Sequence, residues 1–277
     1  MNVKRAMNAR GIAGTGRRRA RERGFSMVEL MIAITIGLFL MAGVLTILQD
    51  TRSTNTNQNL LAQLQDAERV AMTMITDVVQ QAGYYPNAET IASTTALPVD
   101  ATFTQAGQSV FGGSYGGPNA YGDTVTVRYQ GDSTNNVLDC GGSVIAAGTN
   151  EDMQFYVSTG NAGEIELYCS INGGNGVPLV ALFEPSQSNP TAPAPPGGKW
   201  LSITYGVDSN GSGSPNVYLP ASSMAPGAGT DYWPSVYSVK LTVQFANPLY
   251  GQAGQTLQTI PFSRVIGIMN RTGVNIL

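Results

Sequence analysis

Several short segments of this 277-residue chain carry side chains of the right type and spacing for chemistry. Gly112-Gly113-Ser114-Tyr115-Gly116 fits the Gly-x-Ser-x-Gly pattern of a nucleophilic serine on a sharp turn. That serine needs a base to take its proton, and the chain holds no histidine, so the segment reads as a glycine-rich loop. The same empty column removes Cys-His catalysis, the HExxH zinc site and the imidazole pH switch. In Asp208-Ser209-Asn210-Gly211-Ser212-Gly213, the oxygen side chains of Asp208, Asn210 and Ser212 stand at positions 1, 3 and 5, with glycine at 6, as in calcium loops. Position 12 is Leu219 where such loops have a bidentate glutamate, and Asp or Asn beside glycine is ordinary turn chemistry, so a turn is the expected reading. Gly197-Gly198-Lys199 lacks the spaced glycine and the following Ser/Thr of a phosphate loop. Cys140 and Cys169 enclose a polar, glycine-rich stretch; an oxidising compartment would pair them, and two free buried thiols is the other reading. Without histidine they make a poor zinc site. No enzyme, cofactor or resident metal is expected. The remaining chemical oddity is Glu29, a carboxylate at the head of a long apolar run, costly at membrane depth unless paired.

The charge distribution says what positions Glu29. Residues 1–23 hold eight basic side chains against Glu22 alone, a net of +7, while the other 254 residues hold 7 basic and 17 acidic groups, a net of −10. From Leu30 to Leu48 run 19 residues without a charge. At 1.5 Å per residue that helix is about 28 Å long, close to the ~30 Å hydrocarbon core of a bilayer. Basic residues ahead of the span predict a cytoplasmic N-terminus and an exported C-terminal bulk. An ordinary secretory signal has a shorter apolar region closed by an A-x-A-like site, which is missing here. Arg17-Arg18 begins a twin-arginine pattern whose remainder is absent. Beyond the span, Asp50–Asn59 is a Thr/Asn/Gln tract of low helix propensity, where some bending or local melting is expected. Leu60, Leu64, Ala67, Ala71, Met74, Val78 and Ala82 then form one apolar stripe at helical spacing, with Gly83 as C-cap and Pro86 as the stop.

Gly24-Phe25-Ser26-Met27-Val28-Glu29-Leu30-Met31, behind a basic leader and ahead of an apolar helix, resembles the class III signal of type IV pilins and pseudopilins. That resemblance implies cleavage after Gly24 by a membrane prepilin peptidase and N-methylation of Phe25. It also implies that Glu29 pairs with the N-terminal ammonium of a neighbouring subunit. Each charge alone is costly in lipid, and the two neutralise one another when subunits dock in register. Leu61 to Asn87, ending Ala82-Gly83-Tyr84, is similar to the helix end of PilW-type minor pilins. The tail Val265-Ile266-Gly267-Ile268-Met269-Asn270-Arg271 is weakly similar to that group's closing strand. The cysteine that often follows the Ala-Gly-Tyr is replaced by Tyr85-Pro86, so no disulfide position is carried over from the group.

After Pro86 the pattern turns to period two. Asp123–Gln130, Glu164–Ile171, Trp200–Val207 and Tyr237–Phe245 alternate apolar and polar, and Met153–Val157 and Thr256–Met269 add less regular strands. Ser186–Gly198 is a Pro/Ala-rich excursion within the head. The expected fold is α+β and pilin-like: a long N-terminal helix, half transmembrane and half amphipathic, packed on an antiparallel β-sheet head with one wet face. The expected organisation is leader 1–24, membrane half-helix 25–49, amphipathic half-helix 50–85 and head 86–277. The resemblance implies a minor pilin of a priming or tip complex in type IV pilus assembly. Its partners would be other minor pilins, the major pilin, the prepilin peptidase, an inner-membrane assembly platform, membrane lipid and a large tip adhesin. The protein would sit in the bacterial inner membrane and then in the surface pilus. Alternatives are a minor pseudopilin of a type II secretion system, or an adhesin or DNA-uptake subunit. The acidic head offers few basic residues to track phosphates, so nucleic acid is not expected.

Overall fold

The structure is a computed structural model describing residues 24–116, 121–185, 191–225, 231–252 and 254–272. The chain divides into two units, Met1–Asn55 and Thr56–Leu277. Its first helix, α1 (Met27–Gln80), contributes to both. Within the first unit, every described residue is exposed, including the apolar run from Leu30 to Leu48. This is therefore not a buried core helix; its length and apolar surface suit it to cross a bilayer. The expected local melting is absent, since Asp50–Asn59 is helical throughout. The hydroxyls of Thr51 and Thr54 donate to Ile47 O (2.8 Å) and Asp50 O (2.8 Å), so these residues find their partners inside the helix.

In the second unit, two antiparallel sheets share one apolar core with the last turns of α1. A one-turn helix, α2 (Ser93–Ala96), precedes the first sheet. That sheet has the order β1 (Val110–Gly113), β2 (Thr124–Gln130), β3 (Asn150–Thr159), β4 (Ile165–Ile171) and β5 (Val177–Phe183). The second has the order β7 (Val217–Leu219), β6 (Leu201–Val207), β8 (Val236–Ala246) and β9 (Thr259–Gly267), and α3 (Met269–Thr272) closes the described chain. Two sheets thus stand where one was expected, and the Pro/Ala-rich excursion is the link between them. Tyr121 O accepts from Trp200 N (2.8 Å) and Leu201 O from Asp123 N (2.8 Å), stitching the sheets together along the backbone.

Register explains the core. Val125 and Val127 of β2 stand opposite Phe155 and Met153 of β3, and Val239 and Val243 of β8 opposite Ile266 and Phe262 of β9, so apolar residues share a face. On α1 the buried residues are Ala71, Met72, Ile75, Val78 and Val79, each large apolar side chain worth roughly 1.5–3 kcal/mol on full burial. The stripe differs from expectation at Met74, which is exposed, while Leu60, Leu64 and Ala67 are half-buried beside Phe183 and Phe245.

Candidate functional site

The segment singled out in the sequence begins at the first described residue. Gly24 to Ser26 are non-helical and α1 starts at Met27, with Glu29 in its first turn. Phe25 is 82% exposed and Glu29 is exposed. Of the expected leader 1–24, residues 1–23 lie outside the described residues. Gly24 has open space where a Cβ would stand. An exposed, non-helical bond at Gly24-Phe25 is chemically accessible, and a carboxylate in a first helical turn sits where the backbone dipole is positive.

At its other end α1 is locked into the head. Gly83 adopts φ +80°, and its N–H donates to Arg128 O (2.8 Å), while Gln130 N–H donates to Tyr84 O (2.8 Å). The Tyr84 hydroxyl donates to Asp132 (2.7 Å). Asp132 is held down at about 2 by the Thr134 N–H first, then by Tyr84 and Asn135. Asn270 Nδ2 donates to Ala82 O (3.4 Å), tying the turn that follows the helix to the segment after β9. The Ala-Gly-Tyr terminus and the tail asparagine, read separately in the sequence, therefore meet at one joint. Arg264 of β9 makes a second contact, donating to Met72 O and the Thr76 hydroxyl (3.4 and 3.2 Å).

The sequence did not reveal Arg128. It is 1% exposed on the outer side of β2, beneath the segment 97–108. It donates to Gln108 O (2.6 Å), Pro98 O (2.6 Å), Leu97 O (3.1 Å) and Asp100 Oδ2 (2.7 Å), with its guanidinium over the Phe103 ring. Burial lowers its pKa and Asp100 opposes that shift. Nearby Asp152 is raised to about 6, by burial first and by Asp100 second, against the pull of Arg128.

The remaining candidates resolve into structural parts. Cys140, in the loop between β2 and β3, is bonded to Cys169 on the core side of β4, with Cα atoms 6.4 Å apart. Gly112 of the Gly-x-Ser-x-Gly match has no room for a side chain, because a Cβ would land on the Tyr205 hydroxyl, which donates to Thr124 O (3.0 Å). Lys199 binds the buried carboxylate of Asp123 (2.9 Å), which also accepts from Tyr115 N (2.7 Å) and Ile203 N (2.9 Å). In the candidate calcium loop, Asp208 Oδ1 accepts from Asn210 N (3.2 Å) and Ser212 N (3.0 Å), and Oδ2 from Gly213 N (2.7 Å). Burial pushes its pKa up, and those N–H groups with Gly211 outweigh that and lower it. Its oxygens are turned inward on backbone amides, the arrangement of an Asx turn. Among the described residues, no group of three or more acidic or cysteine side chains is placed to hold a metal.

An exposed apolar helix that continues into a β-rich head and completes its core is the plan of a pilin-like membrane protein. Residues 19–45 match the family model of the prokaryotic N-terminal methylation motif, and residues 154–259 match that of the type IV pilus-assembly protein W. No curated protein and no solved structure matches the chain. The protein is thus related to type IV pilus assembly. Its likeness to the PilW group lies in β3 to β8 of the head and stops where β9 begins, a stretch where the residue pattern had offered little.

Proposed function

We propose that the protein is a minor pilin that helps to prime or cap a type IV pilus. Cleavage after Gly24 leaves Phe25 as a methylated N-terminus, residues 25–49 hold the chain in the inner membrane with the head 86–277 outside, and 50–85 carry the head. Assembly then draws the helix into the filament, where Glu29 pairs with the ammonium of a neighbouring subunit. Partners are the other minor pilins, the major pilin, the prepilin peptidase and the assembly platform, with a large tip adhesin beyond. The observation that carries this reading is the conjunction, in one chain, of the methylation motif over 19–45, an apolar helix segment exposed from Leu30 to Leu48 and a PilW-like head.

Intact mass and N-terminal sequencing of protein from membranes and from sheared surface filaments test it. The expected N-terminus is methylated Phe25, recovered in filaments. An N-terminus at Met1, or one beyond Leu48, refutes it. Gly24→Val should block processing. Glu29→Ala should insert in the membrane yet fail to enter filaments, because it removes the charge partner and spares the apolar span; normal incorporation sinks the pairing. Recovery only with a secretion apparatus, and never in surface filaments, would favour the pseudopilin instead.

A further inference from the structure

Three elements bring exposed apolar side chains to one groove of about 520 Å³: α1 with Met74, the β2–β3 loop with Leu138, and α3 with Met269. These residues are 39%, 44% and 59% exposed, and Val144, 57% exposed, lies across a backbone bridge from Leu138. One such side chain is ordinary on a surface; the convergence of several marks an interaction site. Methionine, flexible and polarizable, suits a surface that must adapt to a partner.

The charges of the groove choose the occupant. Among the described side chains, the ionisable residues lining it are Asp77 and Asp139, and no lysine or arginine is among them. A second copy of this chain is a poor match, since residues 25–277 carry a net −10. The loop is also held ready. Cys140 is tied to Cys169, Tyr129 Oη donates to Leu138 O (2.6 Å), and Asp139 Oδ1 accepts from Gly141 N (2.8 Å) and Ser143 N (2.9 Å). A partner therefore need not order it on binding.

We propose that this groove docks a different protein subunit through an apolar segment flanked by lysine or arginine. The proposal rests on the pilus-subunit reading above and names where the head meets its neighbour and with what chemistry.

The test replaces Leu138 with benzoylphenylalanine in the full chain, expressed in its own cell, and irradiates membranes and sheared filaments. Adducts are identified by mass spectrometry, and Tyr218, an exposed residue of β7, serves as the control position. The expected result is an adduct at Leu138, absent at Tyr218, to a second kind of subunit at an apolar segment bordered by basic residues. Asp77→Lys should cut its yield about tenfold through like-charge repulsion, and Asp77→Glu should leave it unchanged. An adduct to a second copy, to the chain's own residues 273–277, or to a segment without basic residues overturns the proposal. So does the absence of any adduct when the protein is present in filaments. If the protein never reaches filaments and the Leu138 adduct to a basic-flanked segment still forms in membranes, the docking stands and the pilus role falls.

Discussion

Replacing Asp152 with asparagine should stabilise the protein at neutral and alkaline pH and leave it unchanged in acid. Asp152 faces Arg128 and Asp100 on the outer side of the first sheet, and burial with the Asp100 charge lifts it from 3.8 to about 6. The folded state thus holds a proton that the unfolded chain releases at lower pH. Stability is fully present below pH 3.8, falls as pH rises, and is lost by the time pH passes about 6. The gap from 3.8 to about 6, at roughly 1.4 kcal/mol per pH unit, sets a ceiling of about 3 kcal/mol. The carboxylate is only partly buried, so solvent screening reduces this to about 1–2 kcal/mol.

Asparagine keeps the shape and carries no charge, so Asp152→Asn removes the penalty at high pH. For a head of this size the gain is about 3–6 °C in Tm at pH 8, with little change at pH 4. Thermal unfolding of the full chain in detergent micelles, wild type against variant, reads it directly. Carboxylates distant from Asp152 titrate alike in both proteins and cancel in the difference, whereas Asp100, coupled to Asp152, is part of the effect being read. A variant less stable at pH 8 would mean that Asp152 acts mainly as a counterion to Arg128. An equal gain at both pH values would mean that ionisation plays no part. Either result refutes the reasoning.

Gly112→Ala should cost about 1–3 kcal/mol by overpacking against the Tyr205 hydroxyl, and Tyr205→Phe in the same chain should recover part of it, as a double-mutant cycle in Tm would show. Lys199→Met should cost about 2–4 kcal/mol at pH 7, measured by urea unfolding, because it leaves the buried Asp123 carboxylate with backbone donors and no cation. Cys140→Ser combined with Cys169→Ala should cost about 3–4 kcal/mol for the 29-residue separation that the bond closes, seen as a lower Tm that added reductant no longer changes.

The helix was legible because its signals are local: a charge-free run, a stripe at helical spacing, a glycine cap. The strands were legible wherever apolar and polar residues alternate, as in β4 and β8. They were missed where period two fails. β5 is a continuous apolar run holding Pro178, β1 carries Gly112 and Gly113, and β7 has three residues. Thr126 and Arg128 alternate as an exposed face should, yet both are buried, because the segment 97–108 folds over them. Ser238 and Gln244 of β8 were likewise expected outside and are buried. Coverage by a distant segment leaves no trace in a strand's own periodicity. The Asp50–Asn59 tract misled in the opposite sense: low propensity predicted local melting, and the tract is helical throughout, with threonine hydroxyls bonded inside the helix. At the candidate site, the likeness to the methylation motif was readable from eight residues. The groove beside Leu138 was not, since its walls come from three segments far apart in sequence.

The sheet edges bear on how such a head meets its neighbours. An open edge offers unpaired backbone groups to any passing strand, a hazard for subunits concentrated in one membrane. Here β1 and β7 are only four and three residues long. Of the longer edges, β5 contains Pro178 and two shifts of register against β4, and β9 contains Pro261. Proline supplies no N–H to a ladder, and shifts of register spoil the regular spacing that an added strand needs. Strand addition is therefore blunted at all four edges. Recognition is left to side chains, which tell partners apart by shape and charge where a bare backbone edge cannot. A head guarded in this way can stay monomeric among copies of itself while a groove of methionine, leucine and carboxylate selects a different chain.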